Sequence, residues 1–237
     1  MTMENRVVVI TGATGALGTV VTRALASLGA KLALLDRDSG RLADLTKNLS
    51  APDEDILALI VDLLDPTATT SAAKSIAARF GHIDILLHLV GGWVGGKTIL
   101  ETAQSDLEFM LNQHVWTSYH VTRAFLPFLV KNGWGRIIMI TSPFASRPQA
   151  NGGTYAIGKA GQEALMLTLS EELKNTGVTA NLLLAKAIDA KGAKVADPSP
   201  KNASWTTPDE LSAAIRFLLS EEAGTINGAK IPLYGSY

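Results

Sequence analysis

Short apolar runs alternate with longer segments of helical periodicity along the chain. The runs are rich in Val, Ile and Leu and are nearly continuous, which is typical of strands buried on both faces of a parallel sheet. This rhythm predicts an α/β fold with a doubly wound, seven-stranded parallel sheet and helices on both faces. The runs are RVVVI, KLALLD, ILALIVD, IDILLHLV, GRIIMIT, VTANLLLA and KIPLY.

The segments between the runs carry the spacing of amphipathic helices. After the first run, Leu17, Val21, Leu25 and Leu28 recur at helical intervals, and Gly29 is a plausible helix stop. One polar stretch rich in Gly and Pro, AKGAKVADPSPKNAS at 190–204, predicts a mobile loop. Further helices are predicted at 40–49, 67–80, 102–132, 153–175 and 208–220.

Size and composition limit the classes of function that are expected. The 237 residues show no linker or shift in composition, so we predict a single domain over 1–237 that includes the loop. With 47% hydrophobic and 18% charged residues and a net charge of -1, neither a nucleic acid nor a membrane surface is an expected partner. The four histidines form no metal-binding spacing and cysteine is absent, so we expect no metal. The N-terminus lacks a signal pattern, and we expect a cytoplasmic protein that acts on a small molecule.

A glycine-rich turn follows the first run and opens a helix. In TGATGALG, Gly12 permits a tight turn, Gly15 allows a ligand to approach the backbone, and Gly18 allows close helix–strand packing. Asp36 ends the second run, where a carboxylate accepts hydrogen bonds from ribose hydroxyls and repels a 2′-phosphate. This favours NAD(H), although the adjacent Arg37 leaves NADP(H) open.

Tyr155 and Lys159 lie four positions apart, on one face of a predicted helix. A nearby cation lowers the pKa of a phenol by roughly 1–3 units, toward a value suited to proton transfer. We therefore expect Lys159 to activate Tyr155 as an acid and base. The alternative is structural, with Tyr155 as a half-buried aromatic and Lys159 as a surface residue.

These motifs together resemble the short-chain dehydrogenase/reductase family over almost the whole chain. Besides the glycine turn, the resemblance includes GHIDILLHLVGG and Ser142, thirteen residues before Tyr155 in a YxxxK pattern. It implies a Rossmann fold and an NAD(P)-dependent interconversion of a small carbonyl compound and its alcohol, with Ser142 and Tyr155 at the reacting oxygen and Lys159 on the nicotinamide ribose. It also implies a homotetramer or homodimer built through the helices at 102–132 and 153–175. The implied cofactor-binding residues are Gly12, Thr14, Gly15, Ala16, Leu17, Gly18, Asp36, Arg37, Asp62, Leu63, Leu89, Val90, Gly91, Tyr155, Lys159 and Ile188.

Several positions depart from the family pattern. The family's Asn-Asn-Ala-Gly run is HLVG at 88–91, and His114 stands where the catalytic tetrad has an asparagine that holds a water. Ala185 and Lys186 replace a Pro-Gly pair, and Ala190 replaces a threonine. We assign His114 to the catalytic group because a histidine can also bind that water.

Two segments resemble dihydropteridine reductases within the same family. These are GGWVGG at 91–96 and QHVWTS at 113–118. Trp93 would line the substrate pocket, with a core or interface tryptophan as the alternative. Ser142 favours a carbonyl or alcohol substrate over a pterin. A pterin-type reductase and a silent NAD(P)-binding regulator remain alternatives.

Overall fold

All seven predicted runs form strands of one parallel sheet. The computed structural model describes residues 2–234. Every pairing is parallel, in the order β3-β2-β1-β4-β5-β6-β7. The strands are β1 (Val7–Thr11), β2 (Lys31–Asp36), β3 (Ile56–Ile60), β4 (Ile85–His88), β5 (Gly135–Thr141), β6 (Val178–Leu184) and β7 (Lys230–Pro232).

Helices cover both faces of the sheet, as the doubly wound prediction requires. Alternate residues of β1 point to opposite faces: Val7 and Val9 belong to one apolar core, and Val8 and Ile10 to the other. Helices α3, α5 and α6 pack on the first core, and α1, α2 and α9 on the second. The helices are α1 (Ala16–Ala26), α2 (Ser39–Lys47), α3 (Pro66–Phe80), α4 (Gln104–Leu111), α5 (Thr117–Lys131), α6 (Gly153–Glu172), α7 (Ala193–Ala196), α8 (Pro200–Ala203) and α9 (Pro208–Leu218).

The order of strands reverses beside β1. The chain builds β1, β2 and β3 outward in one direction and then returns to place β4 on the other side of β1. In open parallel sheets the crevice at such a switch point, beyond the carboxyl ends of the strands, is where ligands bind. The turn after β1 and the turn after β4 therefore face the same crevice.

The predicted helix at 102–132 is interrupted. A five-residue π-helical turn, Asn112–Trp116, separates α4 from α5, and the side chain of His114 projects from it. Helix α6 packs closely here, because a Cβ at Gly158 would lie 2.9 Å from the carbonyl oxygen of Met110. Such turns often mark functional sites, and hydrophobic periodicity alone does not reveal them.

The segment 190–204, which the sequence predicts as a mobile loop, contains the short helices α7 and α8. The carboxylate of Asp189 accepts hydrogen bonds from the backbone amides of Ala193 and Lys194, both at 2.8 Å. Ser199 caps α8 by accepting a hydrogen bond from the amide of Asn202. Local caps therefore order a stretch that has no apolar face to bury.

Within residues 2–234, no helix has the length and apolar character needed to cross a bilayer. The same part of the chain contains no group of three or more His, Cys, Asp or Glu side chains arranged to hold a metal ion.

Candidate active site

The glycine turn between β1 and α1 is tightly folded against its neighbours. Gly12 has a φ of +70°, in the left-handed region that favours glycine. A Cβ at Gly18 would lie 2.2 Å from the carbonyl oxygen of Gly12, so only glycine fits where α1 crosses the turn. No side chain among residues 2–234 caps the start of α1, whose first amides therefore remain available for a pyrophosphate.

Asp36 stands at the end of β2 with its carboxylate held in place. Oδ2 accepts hydrogen bonds from the amide and hydroxyl of Thr14, at 3.0 and 2.8 Å, and Oδ1 accepts one from the amide of Arg37 at 2.7 Å. Burial acts to raise the pKa of Asp36, but these hydrogen bonds outweigh it and leave the pKa below its ordinary value. Asp36 is therefore an ionised acceptor fixed beside the glycine turn.

A cavity of about 220 Å³ lies between the glycine turn, Asp36 and the ends of β3 and β4. Arg41 from α2 also lines it, and its guanidinium donates a 2.9 Å hydrogen bond to the carbonyl of Thr14. The sequence analysis missed Arg41 and Gln113, because helix positions give no signal of which cavity they face. The predicted cofactor residues that line this cavity are Gly12, Thr14, Gly15, Asp36, Arg37, Asp62, Leu63, Leu89, Val90 and Gly91.

A second cavity, of about 660 Å³, continues from the glycine turn toward the carboxyl ends of β5 and β6. Trp205, which the sequence analysis missed, lines this cavity together with Lys186. No Asp or Glu of the described chain lines it. The predicted site residues on its wall are Gly15, Ala16, Leu17, Gly18, Leu89, Val90, Gly91, Trp93, His114, Tyr155, Lys159 and Ile188.

Tyr155 lines the second cavity, whereas the predicted substrate residue Ser142 does not. Ser142 is fully buried at the end of β5, and its hydroxyl lies near enough to the phenol of Tyr155 to act on the pKa of that phenol. The Tyr155 ring is half-buried, with the rings of His114 and Phe144 edge-on at 5.5 and 5.9 Å. Burial raises the pKa of Tyr155, and the nearby Ser142 hydroxyl only partly opposes this effect. The phenol is therefore protonated at neutral pH.

Lys159 does not pair with Tyr155 as expected. Its ammonium lies 6.0 Å from the centroid of the Tyr155 ring and donates hydrogen bonds to the carbonyl of Ile140 at 2.7 Å and to Oε1 of Gln162 at 3.0 Å. Burial lowers the pKa of Lys159 to about 7, although the nearby Glu163 carboxylate acts to raise it. The expectation that Lys159 lowers the pKa of Tyr155 was therefore wrong in this structure.

Two buried histidines flank Lys159. His114 Nε2 donates to the carbonyl of Gly92 at 2.9 Å, so Nδ1 carries the lone pair, and Nδ1 has no hydrogen-bond partner among the described residues. His88 lies between the hydroxyls of Thr11 and Thr117, at 2.7 and 3.3 Å. Burial, together with the Lys159 charge, lowers the pKa of each histidine to about 3. Both imidazoles are therefore neutral.

Trp93 and Lys186 both lie at the second cavity. Trp93 lines it while 62% exposed, which excludes a core tryptophan. Lys186 places its ammonium 5.3 Å above the ring of Tyr234.

Together, the switch-point crevice, the glycine turn and the cavity lined by Tyr155 and Lys159 are typical of a dinucleotide-binding oxidoreductase. A family profile described as short chain dehydrogenase matches residues 6–200. The chain belongs to the short-chain dehydrogenase/reductase family and is an NAD(P)-dependent oxidoreductase with a Rossmann fold.

Individual relatives agree with this assignment. The chain is 27% identical to an acetoacetyl-CoA reductase of Allochromatium vinosum, with 97% of each chain covered. An NADPH-bound short chain oxidoreductase of Pseudomonas aeruginosa PAO1, with an atypical catalytic center, has a TM-score of 0.89 at 24% identity and covers 98% of this chain and 97% of its own. An NAD+-bound xylitol dehydrogenase has a TM-score of 0.85 at 20% identity over the full length of both chains. The last two similarities show the shared fold.

Proposed function

We propose that the protein reduces a small ketone or aldehyde to its alcohol, with Tyr155 as the acid. The observation that carries the proposal is the position of the Tyr155 phenol, which lies on the wall of the cavity that begins at the glycine turn and has the buried Ser142 hydroxyl nearby. A protonated phenol is the form that can donate to a carbonyl oxygen.

The residues present fit a nicotinamide dinucleotide. The first amides of α1 would hold the pyrophosphate, Asp36 the adenosine ribose, and the backbone of Ile188 the carboxamide. Lys159 would hold the ribose next to the nicotinamide. When bound, the reduced nicotinamide supplies a hydride to the carbonyl carbon.

Proton transfer falls to the chain's own side chains. Tyr155 gives its proton to the carbonyl oxygen, which becomes the hydroxyl of the product, and buried Ser142 supports the phenol from behind the cavity wall. The phenolate left on Tyr155 regains a proton from solvent that enters the cavity. The lone pair of His114 Nδ1, which has no partner among the described residues, would support this return path if a water entered between it and Tyr155.

NAD(H) is the proposed preferred cofactor. Asp36 is ionised and faces the smaller cavity, so a 2′-phosphate would lie beside a fixed negative charge. Arg37 and Arg41 line the same cavity and reduce this penalty, so the preference is a matter of degree.

The larger cavity supports a neutral or anionic substrate. Its volume of about 660 Å³ is within the range of small-molecule sites, and it must also admit the nicotinamide. Lys186 on its wall, and the absence of carboxylates from the described lining, disfavour a cationic substrate. Trp93 and Trp205 add apolar surface. The similarity to an acetoacetyl-CoA reductase makes short β-ketoacyl thioesters suitable first probes.

The proposal is tested by measuring NADH and NADPH oxidation with a panel of ketones, aldehydes, β-ketoacyl thioesters and quinonoid dihydropterin. We expect turnover with at least one carbonyl compound, and we expect Tyr155→Phe to lower kcat by about 100- to 10,000-fold without weakening NADH binding. Tyr155→Phe turning over at the wild-type rate would refute the role of Tyr155. Activity with quinonoid dihydropterin alone would select the pterin reductase. Tight NADH binding with no turnover, also after His114→Asn, would select the regulator.

Assembly into a homotetramer or homodimer is part of the proposal. Phe109 on α4, Trp116 in the π turn and Tyr119 on α5 expose large apolar surfaces close together in the sequence. Sedimentation equilibrium tests this expectation, and a monomer at all concentrations would contradict it.

A further inference from the structure

Gln162 is a buried side chain at the base of the catalytic cavity. It is 0% exposed on α6, one helical turn beyond Lys159, which is itself 4% exposed. A primary amide is costly to bury unless its donor and acceptor groups are hydrogen-bonded. Both groups of Gln162 are used: Oε1 accepts from the Lys159 ammonium at 3.0 Å, and Nε2 donates to the hydroxyl of Ser118 at 3.0 Å.

The network continues from Gln162 to the π turn. The hydroxyl of Ser118 on α5 donates a 2.6 Å hydrogen bond to the backbone carbonyl of His114. A continuous chain of hydrogen bonds therefore runs from the Lys159 ammonium through Gln162 and Ser118 to the backbone of the turn that carries the His114 ring. It links α6, which supplies Tyr155 and Lys159, to the interrupted helix on the other side of the cavity.

The other charged and titratable groups around Lys159 are not its direct partners. Glu163, on α6, accepts from the hydroxyl of Thr141 at 3.1 Å and pairs with Lys230 of β7 at 2.5 Å. His88 from β4 and His114 from the π turn are neutral, and Tyr155 is protonated. Among the hydrogen bonds of the described residues, Gln162 provides the side-chain acceptor for Lys159, and Ile140 provides the backbone acceptor.

We propose that Gln162 is a positioning residue that holds the Lys159 ammonium at the base of the cavity and, through Ser118, ties it to the π turn. The inference rests on the proposed function for the importance of Lys159. The hydrogen bond to Gln162 favours the protonated lysine, which is the form that can donate to a ribose hydroxyl. Gln162 therefore acts on catalysis through Lys159 and does not touch the substrate.

Two substitutions separate this role from simple packing. Gln162→Leu keeps a side chain of similar size but removes the acceptor, so the proton affinity of Lys159 should fall by about tenfold. Gln162→Glu places a carboxylate at the same position, so the proton affinity should rise by about tenfold or more. A residue that only fills space would not shift the titration of Lys159 in opposite directions in the two variants.

The experiment follows the Lys159 titration by NMR in cofactor-free enzyme labelled at lysine Cε with ¹³C. The signal that Lys159→Met removes identifies the residue. We expect the titration midpoint to move down in Gln162→Leu and up in Gln162→Glu, and to stay unchanged in Gln104→Leu, a matched change of an exposed glutamine on α4. If Gln162→Leu does not fold, Gln162→Met replaces it. Unchanged midpoints, or midpoints that move in the same direction in both variants, would overturn the proposal.

The affinity for NADH, measured by fluorescence titration across pH, gives a second readout. In Gln162→Leu the loss of affinity with rising pH should begin about one pH unit lower than in the wild type, and in Gln162→Glu about one unit higher. The NMR titration needs no turnover. The prediction for Gln162 can therefore be contradicted by NMR while Tyr155→Phe still abolishes activity. Failure of this inference is therefore distinguishable from failure of the proposed function.

Discussion

Asp36 and Lys159 are charged groups at opposite ends of the proposed cofactor site, and they differ in burial and in hydrogen-bond partners. Asp36 accepts hydrogen bonds from Thr14 and from the backbone after β2, and these hydrogen bonds keep its pKa low in spite of partial burial. Lys159 is almost fully buried, and its direct partners are two neutral oxygens, so burial lowers its pKa to about 7.

Asp36 therefore carries a permanent charge, whereas the charge of Lys159 is conditional on pH. The carboxylate of Asp36 is ionised over the whole physiological range, so the proposed adenosine end of the site keeps its charge at any such pH. The ammonium of Lys159 loses its proton close to neutrality, so the nicotinamide end depends on pH and on the neighbours of the lysine. Four predictions test the two halves of this contrast, ordered by the size of the expected effect.

The largest effect is expected at the glycine turn that supports the adenosine end. Gly18→Ala places a Cβ 2.2 Å from the carbonyl oxygen of Gly12. This oxygen belongs to the backbone, so it cannot move aside as the end of a flexible side chain could. We expect a loss of at least about 3 kcal/mol in the free energy of unfolding, measured by urea denaturation. Gly15→Ala is the matched control, because its Cβ would lie 3.2 Å from the same oxygen. It should fold nearly as stably as the wild type, and equal stability of both variants would contradict the packing argument.

The conditional charge of Lys159 predicts a specific pH dependence of stability. The folded pKa of about 7 lies below the ordinary value of 10.5, so between these values the unfolded chain binds more protons than the folded one. The wild type should therefore gain stability relative to Lys159→Met as pH rises from 6 to 9.5, by about 3 kcal/mol. Thermal and urea unfolding of both proteins at several pH values measure this difference. If the stability difference between the two proteins does not change with pH, folding does not lower the pKa of Lys159.

The permanent charge of Asp36 predicts an effect on cofactor choice. Asp36→Ala removes a charged acceptor, so the affinity for NADH should fall by about 10- to 100-fold while the affinity for NADPH is kept or improved. Fluorescence titration with both cofactors measures the two affinities. Asp38→Ala, which removes only the cap of α2, should leave the ratio unchanged. An unchanged ratio in Asp36→Ala would remove the basis for a preference for NAD(H).

The smallest effect is expected on acid stability. Folding lowers the pKa of His88 and of His114 to about 3, so the unfolded chain binds more protons than the folded one from 6.5 down to this value. Stability is therefore lost as pH falls through this window. His114→Asn should reduce the loss between pH 6.5 and 5 by about 1.5 kcal/mol, because one of the two buried imidazoles is gone. Urea unfolding at the two pH values measures this loss, and an equally steep loss in the variant would mean that His114 is protonated in the folded protein.

The adenosine end could be predicted from the sequence because its determinants are local and concern the backbone. A turn that needs left-handed Gly12 and a carboxylate at the end of the next strand are visible as motifs. Arg41 was missed because its guanidinium reaches the turn from a helix face that periodicity does not assign to any cavity. The strands, too, could be predicted directly, because each is an apolar run, although the edge strands β3 and β7 are only partly buried.

The arrangement around Tyr155 and Lys159 was predicted only in part, because the protonation of both groups depends on the hydrogen-bond partners that their side chains reach. A spacing of four places Tyr155 and Lys159 on one helix face, but the long lysine side chain ends at the carbonyl of Ile140 and the amide of Gln162 instead of the phenol. No motif or spacing in the sequence indicated that Gln162 is important. Its importance comes from burial between α5 and α6, which only the tertiary structure reveals.

The central claim is that Tyr155 supplies the proton at a site that already holds reduced nicotinamide. It is tested most directly by a single-turnover measurement in which enzyme loaded with one equivalent of NADH is mixed with a carbonyl compound that the wild type reduces. We predict that the NADH absorbance decays in the wild type, whereas in Tyr155→Phe the NADH stays bound and its absorbance persists. Decay at the same rate in both proteins would contradict the account.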